Sequence, residues 1–151
     1  MADLRLEREF NVRPERLFQA ITVRADLVRW WGPEGVHVPE DALDFTREGP
    51  WHSVMVGNDT GRRFKVSGHV THVNPPRSVG FTWAWHDDED KRGHESHVTL
   101  TVEETSAGAR LVIDHRELDG GEMAANHKDG WQSTLNKMAK FFEEDPTGGN
   151  A

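Results

Sequence analysis

The chain has 151 residues, a length that fits one ordinary domain built on one core. Hydrophobic residues make up 35% and charged residues 29%, and 18 Lys+Arg against 26 Asp+Glu give a net charge of −8, the wrong sign for a general phosphate-backbone binder, so nucleic acid is not expected as a partner. The absence of Cys excludes disulfides, thiolate catalysis and Cys-ligated metal centres.

In chain order, Leu4, Leu6, Arg8, Phe10 and Val12 alternate with Arg5, Glu7, Glu9 and Asn11, a period of two that predicts a half-buried strand. Pro14 then opens a helix carrying Leu17, Phe18 and Ile21 at helical spacing. A second short helix is predicted from Asp26 to Trp31, stopped by Gly32-Pro33. From Val36 to Leu118 the pattern is strand-like, with breaks at Gly49-Pro50, Asn58 to Gly61, Asn74 to Arg77, Asp87 to Gly93 and Ser106 to Gly108, which leave about six to seven strands in all. Val79, Phe81, Trp83 and Trp85 share one strand face, as do Val98, Leu100 and Val102, so the sheet is antiparallel with one heavily apolar face. In the next strand Leu111, Ile113 and His115 form the heavier set, which directs His115 inward. The last element runs from about Gly121 to Glu144, where Trp131, Leu135, Met138 and Phe142 line one helical face. That helix matches the sheet's apolar face in size, and an α+β fold follows. Residues 1–144 are read as a single domain and 145–151, with Pro146, Gly148 and Gly149, as a flexible tail. No apolar run approaches the roughly 20 residues that span a bilayer. The start Met1-Ala2-Asp3-Leu4-Arg5 lacks a signal peptide's apolar stretch, so a cytoplasmic location away from membranes is expected.

Six Trp and no Tyr make the indoles the first candidates for a site, since each offers a large apolar surface and one N–H donor. Trp83, Trp85, Trp51 and Trp131 either line a pocket or pack as core. Trp30 and Trp31 are adjacent, so only one is expected to face the core well, leaving the other for a cavity mouth or a partner. The nine His invite a metal, but His69 and His72, like His94 and His97, are three apart in predicted strands and point to opposite faces, so no metal site is expected. His115 and His127 are candidates for the polar end of a pocket, because His127 shares a helical face with Trp131. Arg8, on a face with Leu6 and Phe10, is expected to be paired within the protein, for example with Glu or Asp of a neighbouring strand, the alternative being a ligand carboxylate. The run Asp87-Asp88-Glu89-Asp90 reads as a solvated hairpin tip, and no Gly-rich phosphate loop, nucleophile elbow or His-Glu-x-x-His sequence is found.

The run from Phe10 through Arg13-Pro14-Glu15-Arg16-Leu17-Phe18-Gln19-Ala20 to Trp30-Trp31-Gly32-Pro33, followed by Gly68 to Pro76, Phe81 to Trp85 and Gly130-Trp131, resembles the START-like (SRPBCC, Bet v 1-like) superfamily. Within it, the pattern is most similar to the activator of heat-shock-protein ATPase homologue family. The resemblance covers Leu4 to Phe142, with one departure, Gly49-Pro50 where the family often has Gly-Gly before the tryptophan that is Trp51 here. It implies a helix-grip fold, a curved antiparallel sheet wrapped around the long C-terminal helix with a cavity between them. Three functions follow as expectations. The first is non-enzymatic binding of a small hydrophobic or amphipathic molecule, with Trp51, Ser53, Met55, Phe81, Trp83, Trp85, His115, His127, Trp131 and Leu135 as binding residues, no cofactor, and a monomer or homodimer. The second is an interaction module modulating a chaperone ATPase, and the third is a polyketide cyclase/aromatase-like enzyme with His115 as its acid–base.

Overall fold

A computed structural model describes residues 2–144; the tail expected over 145–151 lies outside them. The period-two pattern of the N-terminus forms β1 (Ala2–Phe10), and Pro14 presets the first turn of α1 (Pro14–Thr22), which is followed at once by α2 (Arg24–Trp30). The meander β2 (Val36–Asp41), β3 (Gly49–Gly57), β4 (Arg63–Asn74), β5 (Ser78–Trp85), β6 (Ser96–Thr105) and β7 (Gly108–Leu118) leads into α3 (Gly121–Glu144). All seven strands form one antiparallel sheet in the order β1-β7-β6-β5-β4-β3-β2. This is the helix-grip α+β architecture, with Trp131, Leu135, Met138, Phe141 and Phe142 of α3 buried in the same core as Phe81, Val98, Leu100 and Ile113. Among the described residues no helix is long and apolar enough to cross a membrane.

Three ties position α3 and the short helices. Arg16 of α1 contacts Asp26 of α2 at 2.8 Å while its guanidinium lies 5.3 Å from the Phe141 ring, joining the three helices at one point. Arg8 donates to Asn136 Oδ1 of α3 at 2.7 Å and lies over Phe10, so it is paired within the protein, with a helix amide in place of the strand carboxylate taken as the example. The reason is geometric: Arg8 stands on the face of β1 that α3 covers. The turn after α2 is strapped to α3, because Lys137 Nζ donates to the carbonyls of Trp31 and Pro33, and Glu34 N donates to Ser133 Oγ at 2.8 Å. Burial pushes the Lys137 ammonium below its ordinary pKa, against the pull of nearby Glu34.

Several boundaries differ from the sequence reading. The predicted break at Gly49-Pro50 is the start of β3; β2 pairs with β3 only from Ser53 onward, so Pro50 sits where one side of its strand is unpaired and a missing N–H is tolerated. β2 ends at Asp41, and residues 42–48 are an irregular loop that sends Leu43 and Phe45 fully into the core, anchored by Phe45 N donating to Thr22 O. α2 begins at Arg24, two residues before the predicted start. Trp30 and Trp31 are both buried, at 1% and 2% exposure. The chain leaves the helix at Trp31 in extended conformation (φ −61°, ψ 134°), which turns the second indole inward beside the first. The alternation used for His69 and His72 is interrupted by a register shift between Val70 and His72, and His94 precedes β6 altogether.

Candidate functional site

Trp83, in the middle of β5, is the hub of the aromatic core. Its ring centroid lies 5.4 Å from Trp85, 5.6 Å from Trp131, 5.8 Å from Trp51, 5.9 Å from Trp31 and 5.4 Å from His115. Two glycines make room for this packing. Gly68 of β4 lies where a Cβ would fall on the Thr82 carbonyl, the same oxygen that accepts the Trp51 indole N–H at 3.2 Å. Gly32, at φ +83°, takes the left-handed turn after α2, and a Cβ there would meet Met55 Sδ at 2.7 Å.

Five of the six indole N–H groups have acceptors. Trp30 donates to Ala20 O, Trp31 to Ser53 Oγ, Trp51 to Thr82 O, Trp85 to His127 Nε2 and Trp131 to His115 Nδ1. An indole can only donate, so these last two bonds fix the histidine tautomers. His115 carries its proton on Nε2 and donates it to Ser96 Oγ at 2.7 Å, and Ser96 passes a hydrogen bond to Trp83 O. His127 carries its proton on Nδ1 and donates to Met123 O at 2.8 Å. Both imidazoles are held neutral. Burial, with smaller contributions from the neighbouring His127 and His97, lowers the His115 pKa from 6.5 to about 3, and burial likewise lowers His127. Trp83 Nε1 alone, among the described residues, is a buried side-chain polar atom with no partner.

Between the sheet and α3 lies a cavity of about 330 Å³. Trp31, Gly32 and Pro33 of the strapped turn form one wall with Val36 of β2; Met55, Phe64, Trp83 and Trp85 form the sheet side; Met123, Asn126, His127, Gly130, Trp131 and Thr134 form the helix side. Phe64 and Met123 are the two exposed large hydrophobics among the described residues, so the cavity has an apolar lip. No Asp, Glu, Lys or Arg lines it, and its one titratable group, His127, is neutral with both nitrogens engaged.

The sequence candidates divide in two. Met55, Trp83, Trp85, His127 and Trp131 line the cavity. Trp51, Ser53, Phe81, His115 and Leu135 do not: Trp51 and Phe81 pack with Phe45 behind Trp83, Ser53 receives the Trp31 N–H, His115 is sealed by Trp131 and Ser96, and Leu135 is buried in the α3 core. The lining residues missed by the sequence reading include Trp31, Gly32, Pro33, Val36, Phe64, Met123, Asn126, Gly130 and Thr134. Extending the helical face shared by His127 and Trp131 four residues backwards would have found Met123, and three residues forwards Thr134. Among the described residues no group of three or more His, Asp or Glu is placed to hold a metal ion.

Known proteins share this arrangement. A solved structure of an AHSA1 protein from Silicibacter pomeroyi is 60% identical to the chain, with 94% of this chain and 98% of that one covered at a TM-score of 0.91. A protein from Chromobacterium violaceum, 24% identical over 95% of this chain and 99% of its own, has the same fold at a TM-score of 0.82. Comparison with curated proteins gives no match. The family described as "Activator of Hsp90 ATPase homolog 1-like protein" matches residues 11–143, and the chain therefore belongs to that family, within the START-like superfamily.

Proposed function

We propose that the protein binds a small, uncharged, mostly apolar molecule between the sheet and α3. The observation that carries this reading is the cavity itself: about 330 Å³, walled by Trp31, Trp83, Trp85, Trp131 and Met55, with no charged side chain. Affinity comes from burial at about 25 cal/mol per Å² of apolar surface. The cyclase-like reading draws no support from His115, whose two ring nitrogens are both occupied behind the cavity wall.

The test is native mass spectrometry of freshly purified protein for a resident small-molecule mass, joined to a titration with 2-naphthol followed by tryptophan emission. Gly130 lines the cavity, and a Cβ added there meets nothing within 4 Å, so Gly130→Leu adds side-chain volume at the cavity without a clash at its Cβ. The expected result is saturable 2-naphthol binding weakened by at least about tenfold in Gly130→Leu, the order set by 1.4 kcal/mol. Equal binding by both proteins places the ligand elsewhere. The family description carries a second reading, modulation of a chaperone ATPase, which a stimulated ATPase rate on adding this protein to an Hsp90-type chaperone would support and an unchanged rate would set aside.

A further inference from the structure

The opposite face of the sheet carries a second concavity, about 410 Å³, across β3, β4 and β5. Alternation along β4 directs Lys65, Ser67 and His69 there, while the even-numbered Val66 and Val70 are buried in the core. The β5–β6 connection folds back against this face. His86 bridges to Arg92, and both line the groove with Ser67, His52 and Glu95.

Within it, Ser67 Oγ lies 2.7 Å from His86 Nε2, and His86 Nδ1 lies 2.8 Å from Asp90 Oδ1. Arg92 Nε donates to Ser67 Oγ at 2.9 Å, and in the tautomer that turns its Nδ1 proton towards Asp90, His86 Nε2 accepts the Ser67 hydroxyl proton. The His86 Nδ1 proton then goes to the Asp90 carboxylate. Asp90 adopts φ +63°, a conformation uncommon for a residue other than glycine, and in it the carboxylate reaches both His86 and Lys65 Nζ, the latter at 3.1 Å. The hydrogen bonds from Lys65 and His86 hold the Asp90 carboxyl below its ordinary pKa, so it is ionised. Nucleophile, base and orienting acid are in hydrogen-bond order, the geometric signature by which such constellations are recognised irrespective of fold.

We infer that this groove hydrolyses esters of small carboxylic acids, with Ser67 as nucleophile, His86 as general base and Asp90 as the positioning residue. Ser67 Oγ bonds to the ester carbonyl carbon as its proton passes to His86 Nε2 and the carbonyl π pair moves onto oxygen. Lys65, bonded to Asp90, and Arg92, bonded to Ser67 and Glu95, keep positive charge in the same groove, which favours the developing negative charge. The oxyanion collapses, the carbon–oxygen bond to the alcohol breaks, and His86 returns the proton to the departing oxygen. Water repeats the sequence on the acyl-serine: its proton goes to Nε2, its oxygen bonds to the carbonyl carbon, the bond to Oγ breaks and Oγ regains the proton, releasing a carboxylic acid. Water is the only co-reactant, and nothing is oxidised or reduced.

The test needs no variant at its first step. The intact protein is treated with a fluorophosphonate probe and mapped by peptide mass spectrometry; a phosphonyl group on Ser67 is expected, and its absence there overturns the inference. Steady-state hydrolysis of p-nitrophenyl butyrate is then compared in wild type, Ser67→Ala and His86→Gln, with folding checked by near-ultraviolet circular dichroism. A loss of at least about tenfold in each is expected from the usual range for nucleophile and base, and undiminished turnover in Ser67→Ala refutes the assignment. Asp90→Asn is expected to lower kcat by at least about tenfold with KM little changed, as loss of the carboxylate that orients His86 should; an unchanged kcat excludes its positioning role. The 2-naphthol titration reads the other side of the sheet, so the cavity and the groove stand or fall separately.

Discussion

His115 is a buried base that the fold keeps unprotonated, and this makes stability depend on pH in a calculable way. Its pKa falls from the ordinary 6.5 to about 3, chiefly through burial. The unfolded chain binds a proton here below pH 6.5, whereas the folded chain binds it only near pH 3. The contribution is therefore fully present above pH 6.5 and is lost progressively as pH falls towards 3. At about 1.4 kcal/mol per unit, the loss between pH 7 and pH 5 is about 2 kcal/mol. Replacing the ring by Phe also strands the Trp131 N–H, at 3.1 Å from the ring, and takes away the donor to Ser96 Oγ at 2.7 Å while its own bond to Trp83 O remains; a buried group left unpaired costs about 1–3 kcal/mol. His115→Phe should thus be less stable than wild type by about 3 kcal/mol at pH 7, with the gap narrowing to about 1 kcal/mol at pH 5. Urea unfolding at the two pH values, followed by far-ultraviolet circular dichroism, measures both gaps, and carboxylate titration common to the two proteins cancels in the difference. A gap that does not narrow would refute the neutral, buried imidazole. A gap below about 0.5 kcal/mol at pH 7 would refute the two hydrogen bonds.

Gly68→Ala should cost roughly 3 kcal/mol or more, because the new Cβ falls on main-chain Thr82 O rather than on a movable side chain; thermal unfolding checks it, and a loss within experimental error would show that β4 and β5 separate freely. Trp85→Phe removes the donor to His127 Nε2, a bond made to the neutral ring. The His127 titration, followed by NMR of the ring carbons, should move upward towards the ordinary histidine value, and no movement would mean that the bond does not bias the tautomer.

The fold was legible where a periodic pattern coincided with a buried face. Val79, Phe81 and Trp83 on β5, Val98, Leu100 and Val102 on β6, and Trp131, Leu135, Met138 and Phe142 on α3 each announced both the element and the side it buries. His115 followed the same logic, because β7 sits between β1 and β6 and pairs it with Leu4 and Val98. What periodicity could not supply was anything decided at a chain reversal. The inward turn of Trp31 depends on one extended residue after α2, and the loop 42–48 delivers Phe45 to the core with no repeat to betray it. The division of the candidates between cavity wall and packed core depends on the depth at which each ring stops, which letters do not encode. The groove on the outer face was invisible for another reason. Ser67 lies on β4 while His86 and Asp90 lie on the connection after β5, so no spacing joins the serine to the other two, and the acidic run read as a solvated tip holds its last carboxylate against His86 and Lys65.

The aromatic hub has an optical consequence. Trp83 lies within 5.9 Å of the indoles of Trp31, Trp51, Trp85 and Trp131, and Trp30 lies 5.8 Å from Trp31, so all six indoles form one connected array. At such separations their excited states are coupled, and light absorbed by one is shared among the rest before it is emitted. The near-ultraviolet circular dichroism is then a property of the array, and a disturbance at the Trp83 face changes the emission of tryptophans that it never touches. Because the imidazoles beside the hub stay uncharged at neutral pH, the array keeps the same electrostatic surroundings there, and the protein carries its own reporter of whatever enters between sheet and helix.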